Sequence, residues 1–129
     1  MQKKILIADD KEMIRTLIRE TIESDGYEIM EADNGDLALE LALKSKPDLV
    51  ILDIMMPGKV GYEVCTAIKD NPGTAGTYVI FITGRNSPAL FNTAKRSRGD
   101  EVIVKPFDPV ELREKIKAIL FGGKRAVSA

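Results

Sequence analysis

The chain has 129 residues, enough for one domain with a single core, and its 44% hydrophobic and 30% charged residues are typical of a folded globular protein. A formal net charge of -1 gives no reason to expect binding to nucleic acid or to an anionic membrane. One cysteine and no histidine exclude an internal disulfide, histidine-based catalysis and phosphohistidine chemistry within the chain. We expect a cytoplasmic protein that neither binds nucleic acid nor enters a membrane.

The first half of the chain predicts the order strand, helix, strand, helix, at residues 5–8, 14–22, 27–32 and 37–42. The first strand is a continuous apolar run, the pattern of a strand buried on both faces of a sheet. The second alternates apolar residues with Glu28 and Glu31, which indicates a more exposed edge strand. Both helices show apolar residues at helical spacing, and Gly26 and Pro47 mark their ends.

The second half continues the alternation, with strands at residues 49–52, 79–82 and 102–104 and with helices that begin near residues 61, 87 and 108. All three strands are continuous apolar runs, so we expect each to be buried on both faces. Ser87 and Asp108 each precede a proline, the arrangement of an N-cap and a first-turn proline. Cys65 lies on an apolar helix face and is expected in the core. Five strands alternating with five helices predict a doubly wound α/β fold, one parallel sheet covered on both faces.

Polar residues follow four of the predicted strands where each strand ends. Asp9 and Asp10 follow the first strand, Asp53 the third, Thr83 the fourth and Lys105 the fifth. Ligands of open α/β sheets bind beyond the carboxyl ends of the strands. We therefore expect three acids, one hydroxyl and one amine at a common edge of the sheet.

Three neighbouring carboxylates repel one another. At ~4 Å and an effective dielectric constant of ~20, each pair costs on the order of 4 kcal/mol. A bound cation relieves this repulsion, and hard oxygen ligands suit Mg²⁺. Together with the amine and the hydroxyl, the metal would clamp the oxygens of a phosphoryl group, and a carboxylate beside them could act as the nucleophile.

Four short motifs at these strand ends occur in a fixed order, at residues 5–10 (ILIADD), 53–57 with a glycine at 61 (DIMMP and G), 83–84 (TG) and 105–107 (KPF). This set resembles the receiver domain of two-component response regulators and covers roughly residues 3–120. The resemblance implies a flavodoxin-like sheet of strand order 2-1-3-4-5 with five helices. It also implies a receiver domain at residues 1–121 and a tail or truncated linker at residues 122–129.

The resemblance implies a phosphoacceptor and a metal site. Asp53 matches the phosphorylated aspartate of the family. Asp10 and Asp53, with the backbone carbonyl of Met55, match the direct ligands of Mg²⁺, for which Mn²⁺ is an alternative. Asp9 matches the acid that holds a metal-bound water.

The resemblance also implies how the signal is made and lost. Thr83 matches the hydroxyl that moves towards the phosphoryl group, and Lys105, whose bond to the next proline is a candidate cis peptide, matches the lysine that pairs with the phosphoryl oxygens. Val102 stands where the family usually has tyrosine or phenylalanine, so we expect a damped conformational response or coupling through other side chains. Met55 and Arg85 flank the phosphoryl group, and because neither suits the positioning of a water we expect slow self-dephosphorylation.

Family members receive the phosphoryl group from a histidine kinase or a histidine phosphotransfer protein. The resemblance further implies a signalling phosphoacceptor rather than an enzyme, with a downstream protein target or a homodimer at the face of the fourth helix, fifth strand and fifth helix. A group of basic residues near the fourth helix is either a solvated face or a partner surface: Arg85, Lys95, Arg96 and Arg98. Whether the chain is a single-domain regulator or a piece of a longer protein stays open.

Three other functions are weighed against this one. A phosphatase of the haloacid dehalogenase type has a second aspartate two residues after its nucleophile, and Met55 occupies that position here. A nucleotide-binding module should have a glycine-rich loop after the first strand, where Asp9-Asp10-Lys11-Glu12 stands instead. A receiver-like interaction module that is never phosphorylated is disfavoured by the intact set of Asp53, Asp10 and Lys105.

Overall fold

The computed structural model describes residues 2–85 and 87–122. Among them, five strands alternate with five α-helices, and a short 3-10 helix, Glu23–Asp25, follows the first helix. The elements are β1 (Lys4–Ala8), α1 (Glu12–Ile22), β2 (Glu28–Ala32), α2 (Gly35–Ser45), β3 (Leu49–Asp53), α3 (Gly61–Asp70), β4 (Tyr78–Thr83), α4 (Pro88–Arg96), β5 (Glu101–Val104) and α5 (Pro109–Phe121).

The strands form one parallel sheet in the order β2-β1-β3-β4-β5, which confirms the predicted architecture. Alternate residues of the strands face two separate core layers. In one layer the sheet packs against α2, α3 and α4, and in the other against α1 and α5. Every residue of β3 is buried, as the continuous apolar run predicts. The carboxyl ends of all five strands therefore point to the same edge of a rigid platform.

The two outer strands test the burial predictions. β2 is an edge strand, as its alternating glutamates predicted. The prediction for β5 was wrong, because all four of its residues are only half buried. β5 is the other edge of the sheet, so only one side of the strand has a neighbour. Three apolar residues in a row do not reveal whether a strand lies at the centre or at the edge.

Local sequence signals account for some of the helix ends. Gly26 adopts φ +86°, a left-handed conformation that glycine tolerates, and it ends the 3-10 helix after α1. The Asp108 side chain accepts a hydrogen bond from the backbone N–H of Val110 and caps α5. Ser87 occupies the N-cap position of α4, but its side chain makes no capping hydrogen bond.

The predicted tail at residues 122–129 lies outside the described residues apart from Gly122, the C-cap of α5. Within residues 2–85 and 87–122, no helix has the length and apolar character needed to cross a bilayer. Cys65 is buried in α3, as predicted, and burial raises the pKa of its thiol to about 11.

Candidate functional site

Four strand ends bring the predicted functional residues to one edge of the sheet. Asp53 and Thr83 are the last residues of β3 and β4, and Asp9 and Lys105 directly follow β1 and β5. Asp9, Asp53 and Thr83 are buried, whereas Asp10 is exposed. Because the central strands are in parallel register, the polar groups of distant segments meet without any long loop.

The three carboxylates form one cluster. Asp9, Asp10 and Asp53 each offer an oxygen, and these oxygens all lie within 4.8 Å of one another. The Asp9 side chain accepts a hydrogen bond from the backbone N–H of Lys11 at 2.8 Å. The Asp53 side chain accepts one from the backbone N–H of Met55 at 3.2 Å. Closely spaced carboxylate oxygens are the donor set that a hard divalent cation prefers.

Lys105 supplies a positive charge between two of these acids. Its Nζ donates to Oδ2 of Asp9 at 3.0 Å and lies 3.5 Å from Oδ2 of Asp53. Burial alone would lower the pKa of Lys105, but its ion pairs with the two aspartates outweigh burial and raise it. Lys105 is therefore charged at neutral pH and is held against both aspartates.

The environment of Asp53 disfavours its charge. Burial first, and then the neighbouring charge of Asp9, raise the pKa of Asp53 from the ordinary 3.8 to about 6, although Lys105 opposes the shift. The positive charge of Lys105 thus does not fully offset the negative charges of the neighbouring carboxylates. A further positive charge at this cluster would lower the pKa of Asp53 and favour its ionised form.

A cleft opens above Asp53. Thr83 lines it and accepts a hydrogen bond at its hydroxyl oxygen from the backbone N–H of Arg85 at 3.1 Å. Met55 and Arg85 line the same cleft, and the Met55 side chain is 60% exposed. These are the positions that sequence analysis assigned to the flanks of a phosphoryl group. The Lys105-Pro106 peptide, a candidate from sequence, is cis.

Gly61 explains how α3 can begin so close to the site. A Cβ at this position would lie 2.7 Å from the carbonyl oxygen of Asp53 and 2.8 Å from Cα of Ile54. The backbone N–H of Gly61 donates to the carbonyl of Ile54 at 2.9 Å. Any larger residue would push α3 away from the end of β3.

Two site residues were missed by sequence reasoning. Lys11 lines the cleft, and the guanidinium of Arg15 donates to the backbone carbonyl of Asp9 at 2.9 Å. Arg15 also pairs with Glu31 of β2 at 2.9 Å, so it ties the Asp9 loop to the neighbouring strand. Helical spacing alone would place Arg15 on a solvated face. Its ion pair with Glu31 can be inferred only when β2 is known to lie beside β1 in the sheet.

Val102, Lys95, Arg96 and Arg98 lie apart from the cluster, whereas Arg85, the fourth of the basic residues, lines the cleft over Asp53. Val102 is on β5, opposite Phe81 of β4, and packs against the core layer that contains α3 and α4. Arg98 pairs with Asp70 of α3, whereas Lys95 is an exposed residue of α4.

Comparison with known proteins agrees with this fold. The family model of the response regulator receiver domain matches residues 5–117. The transcriptional regulatory protein ResD of Bacillus subtilis is 40% identical to the chain over 119 residues, which are 92% of the chain and 48% of ResD. The histidine kinase P4 of Formosa agariphila is 40% identical over 116 residues, which are 90% of the chain and 8% of that protein.

Among solved structures, the chemotaxis protein CheY4 of Vibrio cholerae is similar with a TM-score of 0.86 and 30% sequence identity, over 93% of this chain and 100% of CheY4. The chain belongs to the response regulator receiver domain family of two-component systems. Receiver domains are signalling modules of phosphorelays rather than conventional enzymes, bind Mg²⁺ at an acidic pocket and interact with histidine kinases and downstream effectors. The chain spans about half the length of ResD.

Proposed function

We propose that the chain accepts a phosphoryl group on Asp53 from a phosphohistidine donor and signals by the resulting change in its surface. One observation carries this proposal: the Lys105 ammonium lies against both Asp9 and Asp53, at 3.0 and 3.5 Å, in the cleft that Thr83 lines. A nucleophilic carboxylate, a fixed cation and a hydroxyl donor are the groups that phosphoryl transfer requires.

In the proposed transfer, an oxygen of the Asp53 carboxylate forms a bond to phosphorus while the phosphorus–nitrogen bond of the donor histidine breaks. The imidazole nitrogen leaves with the electron pair and takes up a proton. The product is an acyl phosphate on Asp53. Lys105 compensates the negative charge of the phosphoryl oxygens, and the Thr83 hydroxyl turns from its contact with Arg85 to donate to one of them.

The donor set fits a divalent metal. The side chains of Asp10 and Asp53 and the carbonyl of Met55 would hold Mg²⁺ or Mn²⁺, and Asp9 would hold a water of the metal. The grouping of the three carboxylates within 4.8 Å supports this assignment. When bound, the metal supplies positive charge that favours the ionised form of Asp53 and offsets the charge of the phosphoryl oxygens.

Incubation with acetyl phosphate and Mg²⁺, followed by intact mass measurement, tests the proposal. The wild-type chain should gain the mass of one phosphoryl group, and Asp53→Asn should gain none. Asp33→Asn is the matched control, because Asp33 follows β2 at the same edge of the sheet and is exposed. A wild-type chain that gains no mass would favour an interaction module that works without phosphorylation.

The acyl phosphate should be long-lived. Hydrolysis needs a water aligned with the phosphorus, and neither Met55 nor Arg85 offers a carboxylate or amide to hold it. Both side chains line the cleft over Asp53 and reduce the access of water. Loss of the phosphoryl mass within seconds would contradict this part of the proposal.

The output surface is proposed at α4, β5 and α5, for a downstream protein or a second copy of the chain. Two features support it. Val110 at the start of α5 is 67% exposed, and a groove lies between β5 and α5, lined in part by Phe107 and Glu111. Residues 1–121 are the proposed receiver unit. Because Val102 has no ring to reorient, we infer a damped response along β5.

A further inference from the structure

Two side chains of α3 tie this helix to α4. The hydroxyl of Tyr62 donates to the backbone carbonyl of Leu90, in the first turn of α4, at 3.1 Å. The thiol of Cys65 donates to the carbonyl of Ser97, the C-cap of α4, at 3.2 Å. Residues three apart lie on the same face of a helix. Both ends of α4 are therefore attached to one face of α3.

The tie at Tyr62 is the one next to the acidic site. Tyr62 directly follows Gly61, where a Cβ would lie 2.7 Å from the carbonyl oxygen of Asp53. α4 begins at Pro88, five residues after Thr83 in the sequence. The Tyr62 hydrogen bond thus connects the helix that rests on Asp53 with the helix that follows Thr83.

The ring of Tyr62 also contacts the strand that carries Thr83. It meets Phe81 edge to face, with ring centroids 5.5 Å apart and an interplanar angle of 72°. Phe81 is fully buried and projects from the same face of β4 as Thr83, because side chains alternate along a strand. Phe81 lies opposite Val102 in the sheet. β5 carries Val102 where the family usually has an aromatic residue. The aromatic contact with Phe81 of β4 comes from Tyr62 of α3 instead.

We propose that Tyr62 is a latch that holds the first turn of α4 in its resting position and releases it when Thr83 moves towards a phosphoryl group. This inference rests on the proposed phosphorylation of Asp53. Movement of Thr83 displaces the first turn of α4, and the Tyr62 hydrogen bond to Leu90 breaks. The tie at Cys65 keeps the other end of α4 attached, so the helix pivots about its C-terminal end.

The size of the effect follows from the single hydrogen bond involved. Losing one neutral hydrogen bond shifts a two-state equilibrium by about threefold to tenfold. Tyr62→Phe keeps the ring and its contact with Phe81 and removes only the hydroxyl. Without a phosphodonor, the amides of α4 from Phe91 onwards, whose hydrogen bonds depend on the first turn, should therefore exchange with solvent about threefold to tenfold faster in the variant than in the wild type.

Hydrogen–deuterium exchange of peptides that span residues 88–96 measures the latch. Each protein is examined with and without acetyl phosphate and Mg²⁺, and intact mass gives the phosphorylated fraction of the same samples. Phosphorylation should accelerate exchange in the wild type and change the Tyr62→Phe variant much less. Tyr78→Phe is the control, because it removes a hydroxyl hydrogen bond to Glu101 at the opposite end of β4 and should leave α4 at the wild-type rate.

The outcomes separate the two proposals. Equal α4 exchange in the wild type and Tyr62→Phe without donor overturns the latch, because the hydrogen bond then restrains nothing. A wild type that gains phosphoryl mass without faster α4 exchange overturns the release step. A wild type that gains no mass overturns the proposed function of Asp53, and the donor-free comparison still decides whether Tyr62 restrains α4.

Discussion

Replacing the proposed phosphoacceptor should make the metal-free protein more stable. Asp53→Asn removes a buried charge that the folded state disfavours and keeps the size of the side chain. The pKa of Asp53 is raised from 3.8 to about 6, and each pKa unit corresponds to about 1.4 kcal/mol. The carboxylate therefore lowers the free energy of unfolding by about 3 kcal/mol at pH 7.5. This value already contains the attraction of Lys105, which opposes the shift of the Asp53 pKa.

The pH dependence has a definite sign. Since the folded state holds the Asp53 proton more tightly than the unfolded state, the penalty is fully present above the folded pKa of about 6 and is lost as the pH falls towards 3.8. At pH 5 the advantage of Asp53→Asn should be roughly half of its value at pH 7.5. The two proteins should converge further below that.

Urea unfolding in EDTA, at pH 7.5 and at pH 5, measures both effects. With an m-value of about 2 kcal/mol/M, the variant midpoint should rise by roughly 1 to 1.5 M urea at pH 7.5. Asp25→Asn is the control of opposite sign. Hydrogen bonds from Arg113, at 2.8 and 3.0 Å, lower the pKa of Asp25, so this variant should be less stable than the wild type at neutral pH. Equal stability of Asp53→Asn and wild type at pH 7.5, or an advantage unchanged at pH 5, would refute the reasoning.

Three further predictions concern the same cluster. Adding Mg²⁺ to the EDTA-free wild type should raise its urea midpoint by mass action, and Asp10→Asn should abolish that rise in the same titration. Lys105→Met leaves Asp9 buried without its cation, so the free energy of unfolding at pH 7.5 should fall by about 3 kcal/mol and acetyl phosphate should add no mass; a fully stable variant would contradict the ion-pair argument. Met55→Gln places an amide beside the acyl phosphate, so the phosphoryl mass should be lost roughly tenfold faster, which is less than a general base would give. An unchanged half-life of the acyl phosphate would count against the role of this position.

The sequence predicted what is encoded locally. The run of apolar residues that ends in Asp53 is enough to place a buried strand with a carboxylate at its end, and β3 has that form. Asp108 before a proline is a complete capping signal, and its side chain does cap α5. Ser87 carries the same local signal, but its side chain makes no capping hydrogen bond.

The remaining features depend on residues far apart in the chain. The half-burial of β5 follows from its edge position, which three apolar residues cannot report. The ion pair between Lys105 and Asp9 joins opposite ends of the domain and requires the sheet order. Nothing in the sequence distinguishes Tyr62 from other residues of its helix. Its hydrogen bond to Leu90 depends on the packing of α3 against α4.

The buried thiol of Cys65 provides a natural reporter for experiments on this protein. Because its pKa is about 11, roughly one thiol in three thousand is ionised at pH 7.5, and closed molecules should react very slowly with thiol reagents. As the chain has no other cysteine, a fluorophore could be attached selectively to a cysteine introduced on the exposed surface, for example by Lys95→Cys. In the unaltered protein, the rate at which a thiol reagent modifies Cys65 would measure how often α3 and α4 separate, and no added label would be needed.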